Sequence, residues 1–265
     1  VISWPLLAVI LVVMAAVMTA AWATQRAAGN SGWIDVFWTY GTGAVGVAAA
    51  LWPFHGAFTE RQLLVAALVA VWALRLGTYI FRRVVTSHEE DARYAKFKRE
   101  WGPNYQTKIY GLILPQALIT TIMMVSIEIA ANRPVAGLDA RDLLGAAILA
   151  IAIVGESLAD WQLAQFKKTN TKKSAICDAG LWGWSRHPNY FFEWFGWLAY
   201  PVIALDLAQP TTLLTLVAPA TMFVVLRFIT GVPPLEDTML ASRGDAFIAY
   251  QNRTSAFIPL PPKGA

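Results

Sequence analysis

The sequence predicts an all-α integral membrane protein of about seven transmembrane helices, with the N-terminus outside and the C-terminus cytoplasmic. Three observations carry this expectation. Of 265 residues, 57% are hydrophobic and only 14% charged, where a soluble domain carries about 25% charged residues. The mean hydropathy is +0.48, and the apolar residues gather in blocks near the roughly 20 residues that a membrane helix needs. The lysines and arginines fall between those blocks, as in cytoplasmic loops.

The seven candidate spans are 3–23, 33–54, 62–83, 111–131, 142–163, 189–206 and 211–231. The first is read as a retained helix. It has no basic n-region, which a secretory signal ending near Ala21-Trp22-Ala23 would require. The sixth is interrupted by Pro201. The connection after the third span carries Arg93, Lys96, Lys98, Arg99 and Lys108. The connection after the fifth carries Lys167, Lys168, Lys172, Lys173 and Arg186, and the one after the sixth has no Lys or Arg. With seven spans both basic connections and the C-terminus share one side, which fixes the orientation. No repeat or linker divides the chain, so residues 1–265 read as a single membrane domain, expected in a bacterial inner membrane.

Several function classes are set aside by composition. The net charge of +4 comes from loop cations and gives no nucleic-acid surface. Cys177 is the single cysteine, so no intrachain disulfide forms. His55, His88 and His187 lie far apart, and no metal-ligand spacing is present. Gly41-Thr-Gly-Ala-Val-Gly46 spells a dinucleotide fingerprint, but that motif needs a strand before it and a βαβ unit around it. Inside a membrane span these glycines read as small residues that let helices approach closely.

The polar residues near the helix ends are the candidate site. Arg75, Tyr79 and Arg83 are spaced by four and share a helix face, with Arg82 beside them. Either terminal arginine alone reads as an interfacial anchor, whereas Arg75 lies deeper and calls for a partner in the protein interior. Residues 88–105 mix charge with aromatics, as in a short amphipathic surface helix or a solvated loop. Glu156 and Asp160 share a face near the end of the fifth span, with Lys167 and Lys168 following. The stretch Gly180–Trp194, GLWGWSRHPNYFFEW, sets Arg186 and His187 before Pro188, a residue suited to the first helical turn. A helix N-terminus offers free N–H groups to an anion, and Arg186 adds bidentate reach. Asn189 and Glu193 share the next face, and Arg227 and Arg253 add cations. Hydroxyl-binding acids and amides among many cations suit a ligand with ribose, amide and phosphate groups, such as NADPH.

These same segments, GLWGWSRHPNYFFEW, ESLADWQLAQFKK, LRFITGVPPLE and YQNRTSAFIPLPPK, resemble the steroid 5-alpha-reductase-like membrane proteins, closest to a large bacterial branch known formerly as a domain of unknown function. The resemblance covers nearly the whole chain. It implies a seven-helix fold with NADPH at the cytoplasmic helix ends. By position it implies cofactor contacts at Glu156, Asp160, Lys167 and Lys173, at Asn189 and Glu193, and at Arg227, and Arg186, His187 and Tyr190 of the same turn are candidate cofactor contacts beside them. Tyr79 and Arg82 reproduce the family's catalytic tyrosine and, three residues on, its cofactor-binding arginine, with Arg83 adjacent. The family's Gln-Glu pair on the second helix has no counterpart, and that helix offers Asp35, Trp38, Tyr40 and His55 instead.

The expected function is therefore an NADPH-dependent reductase of an apolar enone, steroid-like or isoprenoid, entering from the bilayer. Hydride reaches the β-carbon, Tyr79 stabilises the charge developing on the carbonyl oxygen, and Asp35 is the candidate partner of Tyr79. Two alternatives stay open. One is an S-adenosylmethionine-dependent methyltransferase resembling the isoprenylcysteine carboxyl methyltransferases, which share an RHPxY turn followed by a Glu. The other is a non-enzymatic lipid-binding or transport protein. No metal, nucleic acid or protein partner is expected.

Overall fold

The structure, a computed structural model, describes residues 2–53, 56, 58–86, 90–170, 172, 175–206 and 208–263. Among these it is helical, with one isolated bridge between Ser185 and Ser255. The helices are α1 (Trp4–Ala28), α2 (Trp33–Ala50), α3 (Glu60–Thr86), α4 (Ala92–Trp101), α5 (Tyr105–Ile113), α6 (Gln116–Ala131) and α7 (Ala140–Thr169). There follow α8 (Leu181–Trp184), α9 (Pro188–Gly196), α10 (Ala199–Ala204), α11 (Val217–Val224), α12 (Val232–Arg243) and α13 (Asp245–Arg253). A 3₁₀ segment, Pro210–Leu216, leads into α11, and a π-helical turn, Val225–Ile229, follows it.

Among the described residues, five helical stretches are long and apolar enough to cross a membrane: Trp4–Ala28, Glu60–Thr86, Ala92–Ala131, Ala140–Thr169 and Pro210–Arg243. Two of the seven expected spans differ. Helix α2 is shorter than 33–54, and Asp35, Thr39, Tyr40, Thr42 and three glycines dilute its apolar content. The stretch 189–206 is two short helices, α9 and α10. Pro201 offers no N–H to the carbonyl four residues back, so the ladder breaks just before it.

The chain divides into two compact units, Val1–Ala147 with Leu198–Thr221, and Ile148–Trp197 with Met222–Ala265. In the first, α1 is capped at its start by Ser3, whose hydroxyl accepts from the Leu6 N–H at 3.3 Å, and ends at Gly29 in the left-handed region, φ 70°. The α2–α3 contact rests on the glycines that mimicked a nucleotide motif. A Cβ at Gly43 would stand 2.2 Å from the Ala73 methyl, and one at Gly46 would stand 2.8 Å from Val69. The small-residue reading of GTGAVG thus holds.

At one end of this unit lies a buried ion network the sequence did not single out. Asp142 takes a bidentate pair from Arg61 at 2.8 and 2.9 Å and a third bond from Arg133 at 2.8 Å. Arg61 also donates to the carbonyls of Arg133 and Val135, and Arg133 reaches Asp139 at 2.8 Å. A lone ion here would be strongly unfavourable. Each charge is instead countered and hydrogen-bonded.

In the second unit, α9 packs on α7 through glycines. A Cβ at Gly155 would meet the Phe192 ring at 2.4 Å, and one at Gly196 would touch Ala152 and Leu149 at 3.2 Å. The Trp182 indole donates to the Ala159 carbonyl at 3.0 Å, and the Leu181 N–H to Gln162 at 3.0 Å.

Candidate functional site

The stretch Gly180–Trp194 folds as α8, a tight turn and the first turns of α9. Pro188 occupies the first turn of α9, and His187 is its N-cap, as the sequence implied. What occupies the turn was not foreseen. Arg186 is not an open anion site. Its Nε and Nη2 donate to the two carboxylate oxygens of Glu236 at 2.7 and 3.1 Å, and its Nη1 donates to the carbonyls of Gln251 and Thr254. His187 Nε2 lies 3.1 Å from Glu236 Oε1, and the Gln251 amide donates to Oε2 at 2.9 Å. Glu236 is thus a hub that binds the turn to the C-terminal segment.

That segment is fastened along its length. The Arg186 N–H donates to Ser255 O at 2.8 Å, Ser185 Oγ to Phe257 O at 2.8 Å, and the Leu260 N–H to Trp184 O at 3.0 Å. The Tyr250 hydroxyl donates to Trp182 O. Phe257 is buried among Phe191, Trp194 and Phe223, with centroids 6.2, 6.0 and 5.4 Å away. Burial pushes the Tyr250 hydroxyl well above its ordinary pKa. His187 is lowered, chiefly by burial. Glu236 opposes this, and Arg186 and Arg227 add to it. Arg186 and His187, both expected at the phosphates, are thus engaged by Glu236 in a latch that ties the turn to the C-terminal segment.

Other candidates of this unit are placed differently. Glu156 and Asp160 are 6% and 5% exposed on α7, and both are engaged in polar interactions. Glu193 is buried on α9 and accepts from the Trp197 indole at 3.0 Å. Tyr190 stacks on the His187 ring, 5.7 Å between centroids and 10° between planes. Asn189 is half-buried, and its amide makes no hydrogen bond among the described residues. Lys167 is exposed on the last turn of α7, and no acid among the described residues pairs with it. Lys173 lies outside the described residues, as do His55 and His88.

Arg227 sits on the π-helical turn Val225–Ile229. Such turns inside helices cluster at functional sites. The turn closes through the Thr230 N–H to Val225 O at 3.0 Å. It also requires Gly231, where a Cβ would stand 2.3 Å from Leu226 O. Arg227 is half-buried over the Phe228 ring at 5.1 Å and close enough to His187 to act on its charge. No acid among the described residues pairs with it.

The catalytic candidates belong to the first unit. Tyr79 is half-buried beside the Val36, Ile80 and Val84 cluster, and the Arg75 guanidinium stands 5.5 Å from its ring centre. The shared face of Arg75 and Tyr79 is therefore real. Arg82 and Arg83 are exposed. Arg83 pairs with Asp91 at 3.2 Å, Asp91 with Arg93 at 2.9 Å, and Arg93 with Asp35 at 2.6 Å. The Tyr94 hydroxyl donates to Asp35 at 2.8 Å. Asp35, the expected partner of Tyr79, thus pairs with Arg93 and Tyr94 of α4. Burial alone would raise Asp91, but Arg93 and Arg83 hold its carboxyl well below the usual carboxylate range.

The long apolar helices and their charged ends define the class of protein: an all-helical membrane protein. The chain belongs to the family described as "Protein of unknown function (DUF1295)", whose model matches residues 21–254, a stretch containing every candidate residue above. No curated protein and no solved structure matches the chain.

Proposed function

We propose that this protein is an NADPH-dependent membrane reductase acting on the C=C bond of an apolar enone, with a steroid-like or isoprenoid substrate drawn from the bilayer. The observation that carries the cofactor half is Arg227. An arginine with no acid partner among the described residues, half-buried on a π turn near His187, is suited to an anionic ligand. Asn189, with an unspent amide, and exposed Lys167, Lys168 and Lys172 add donors of the kind a dinucleotide phosphate needs. The buried acids Glu156 and Asp160 are of the type that accepts from ribose hydroxyls. The donor set fits NADPH less richly than the sequence implied, since Arg186 and His187 serve the latch.

Bound NADPH would supply the hydride for the β-carbon. The task left to the chain is the carbonyl oxygen, which gains negative charge as the hydride arrives. Tyr79 has a phenolic donor on the face it shares with Arg75, and the nearby guanidinium favours negative charge there. Replacing Tyr79 by Phe deletes the hydroxyl and keeps the ring. The expected outcome is a loss of turnover of roughly 100-fold or more with NADPH binding unchanged, measured by enone reduction and by a binding titration. Turnover within a few-fold of wild type would remove Tyr79 from the reaction.

The commitment of Arg186 and His187 to Glu236 favours the rival methyltransferase reading, because S-adenosylmethionine needs fewer phosphate-binding cations. One experiment separates the two. The purified chain is titrated with NADPH, NADH and S-adenosylmethionine, and Arg227→Ala and Asn189→Ala are compared with wild type. The reductase reading requires NADPH to bind best and each substitution to weaken it about tenfold or more. Binding of S-adenosylmethionine alone would replace it, and binding of none of the three would leave the lipid-carrier reading.

A further inference from the structure

We propose that the end of the first unit built by α1, α4 and α5 holds the phosphate headgroup of an anionic phospholipid, with its acyl chain lying along α1. The inference is independent of the reductase reading. It begins with two cation–tryptophan pairs on adjoining elements. The Arg26 guanidinium stands 5.5 Å from the Trp22 ring centre, and the Lys108 ammonium stands 5.9 Å from that of Trp101. The first turns of α5 join them. The Trp22 indole donates to Gln106 O at 3.1 Å, Gln25 to the Gln106 side chain at 2.8 Å, and Trp22 packs on Tyr110 at 5.3 Å. Trp101 stacks on Phe97 at 4.6 Å with its plane 4° away.

The charge balance here is one-sided. Each nearby acid is already committed: Glu90 to Lys98 at 2.7 Å, Glu100 to Lys96 at 3.7 Å, Asp91 to Arg83 and Arg93, and Asp35 to Arg93. Arg26, Arg99 and Lys108 are exposed, and no acid among the described residues pairs with them. A cation resting on a tryptophan face keeps its outward N–H donors for an anion.

Helix α1 decides the source of that anion. From Trp4 to Trp22 it rises about 27 Å at 1.5 Å per residue, close to the ~30 Å hydrocarbon layer. Tryptophans at such a spacing mark the two interfaces, which puts Arg26 at headgroup depth. Between them Val9, Val12 and Val13 are exposed, and Ala16, Ala20, Ala23 and Ala27 continue the exposed ridge up to Arg26. A strip of small side chains ending at a cation accommodates an acyl chain below its phosphate. A free phosphate ion has no use for it.

The test uses the full chain in detergent, with phosphatidylglycerol and phosphatidylcholine of equal chain length, read by native mass spectrometry. Phosphatidylglycerol should be retained in preference, and Arg26→Gln/Lys108→Gln should lose that preference by about fivefold for each cation removed. Ala20→Trp, which fills the strip and leaves the charges, should weaken retention as well. Arg141→Gln/Lys263→Gln removes the same charge elsewhere and should leave the preference intact. Equal retention of the two lipids, an equal loss in that control pair, or displacement by equimolar inorganic phosphate would each overturn the proposal.

Discussion

Removing the Glu236 carboxylate by Glu236→Ala should release the C-terminal segment while the rest of the second unit stays folded. Glu236 receives two bonds from Arg186, one from Gln251 and the His187 contact at 3.1 Å. The Arg186 and Glu236 side chains are 10% and 15% exposed, so the pair is mostly dry. Breaking such a pair leaves an uncompensated buried charge, which costs about 3 kcal/mol or more. Part of that loss is offset because Arg186 keeps the carbonyls of Gln251 and Thr254. At about 3 kcal/mol, opening of the latch rises by roughly a hundredfold. The reporters are the amides that close it: Arg186 to Ser255, Leu260 to Trp184 and Lys263 to Arg253. Hydrogen exchange reads their opening directly. Protection of the Arg186 and Leu260 amides should fall by that factor, while the Trp197 amide, bonded within α9 to Trp194, should change little. If the Arg186 and Leu260 amides keep their wild-type protection, Glu236 is not the hub of the latch.

The latch should also respond to acid. His187 has a lowered pKa when the segment is docked, whereas the released residue titrates near its ordinary 6.5. The released state therefore binds the proton more readily, and docking is fully favoured above pH 6.5 and weakens as pH falls below it. Proteolysis of the segment between pH 8 and 5 should accelerate toward acid in wild type and follow a flatter course in His187→Gln. In the first unit, Asp142→Asn strands Arg61 and Arg133 and should destabilise by about 3–5 kcal/mol, seen as a much lower detergent melting temperature than for Arg141→Gln, whose side chain is exposed. Gly43→Val should force α2 from α3 at a site with no room for even a Cβ. Its cost is at least about 1–3 kcal/mol, and melting unchanged from wild type would refute the close approach.

The candidate site was legible in part, and the boundary between the two parts is physical. Pro188 announces a helix start by its own covalent geometry, and Glu156 and Asp160 share a face because helical spacing requires it. Arg75 and Tyr79 follow the same rule. Periodicity says which residues of one helix are neighbours, but it does not say what faces them. Arg186 looked like an anion site because Glu236 stands 50 residues later. Asp35 looked available to Tyr79 because Arg93 and Tyr94 lie on another helix. Glu236 itself carried a faint signal, as one of few acids in the apolar C-terminal third, within LRFITGVPPLE. Nothing local marked Asp142 as the partner of Arg61.

The sequence by itself determined that this chain is helical and membrane-embedded. Long apolar blocks cannot remain in water, and a backbone in hydrocarbon must satisfy its own hydrogen bonds. It determined equally that the glycines of GTGAVG serve helix packing. The tertiary structure alone decided which charges are spent and which remain. Glu236 consumes Arg186 and His187, Asp35 consumes Arg93, and Asp142 consumes Arg61, while Arg227 on its π turn has no acid partner among the described residues. Charge pairing depends on distances across the fold, and a distance between remote residues is not a property of either residue's local sequence.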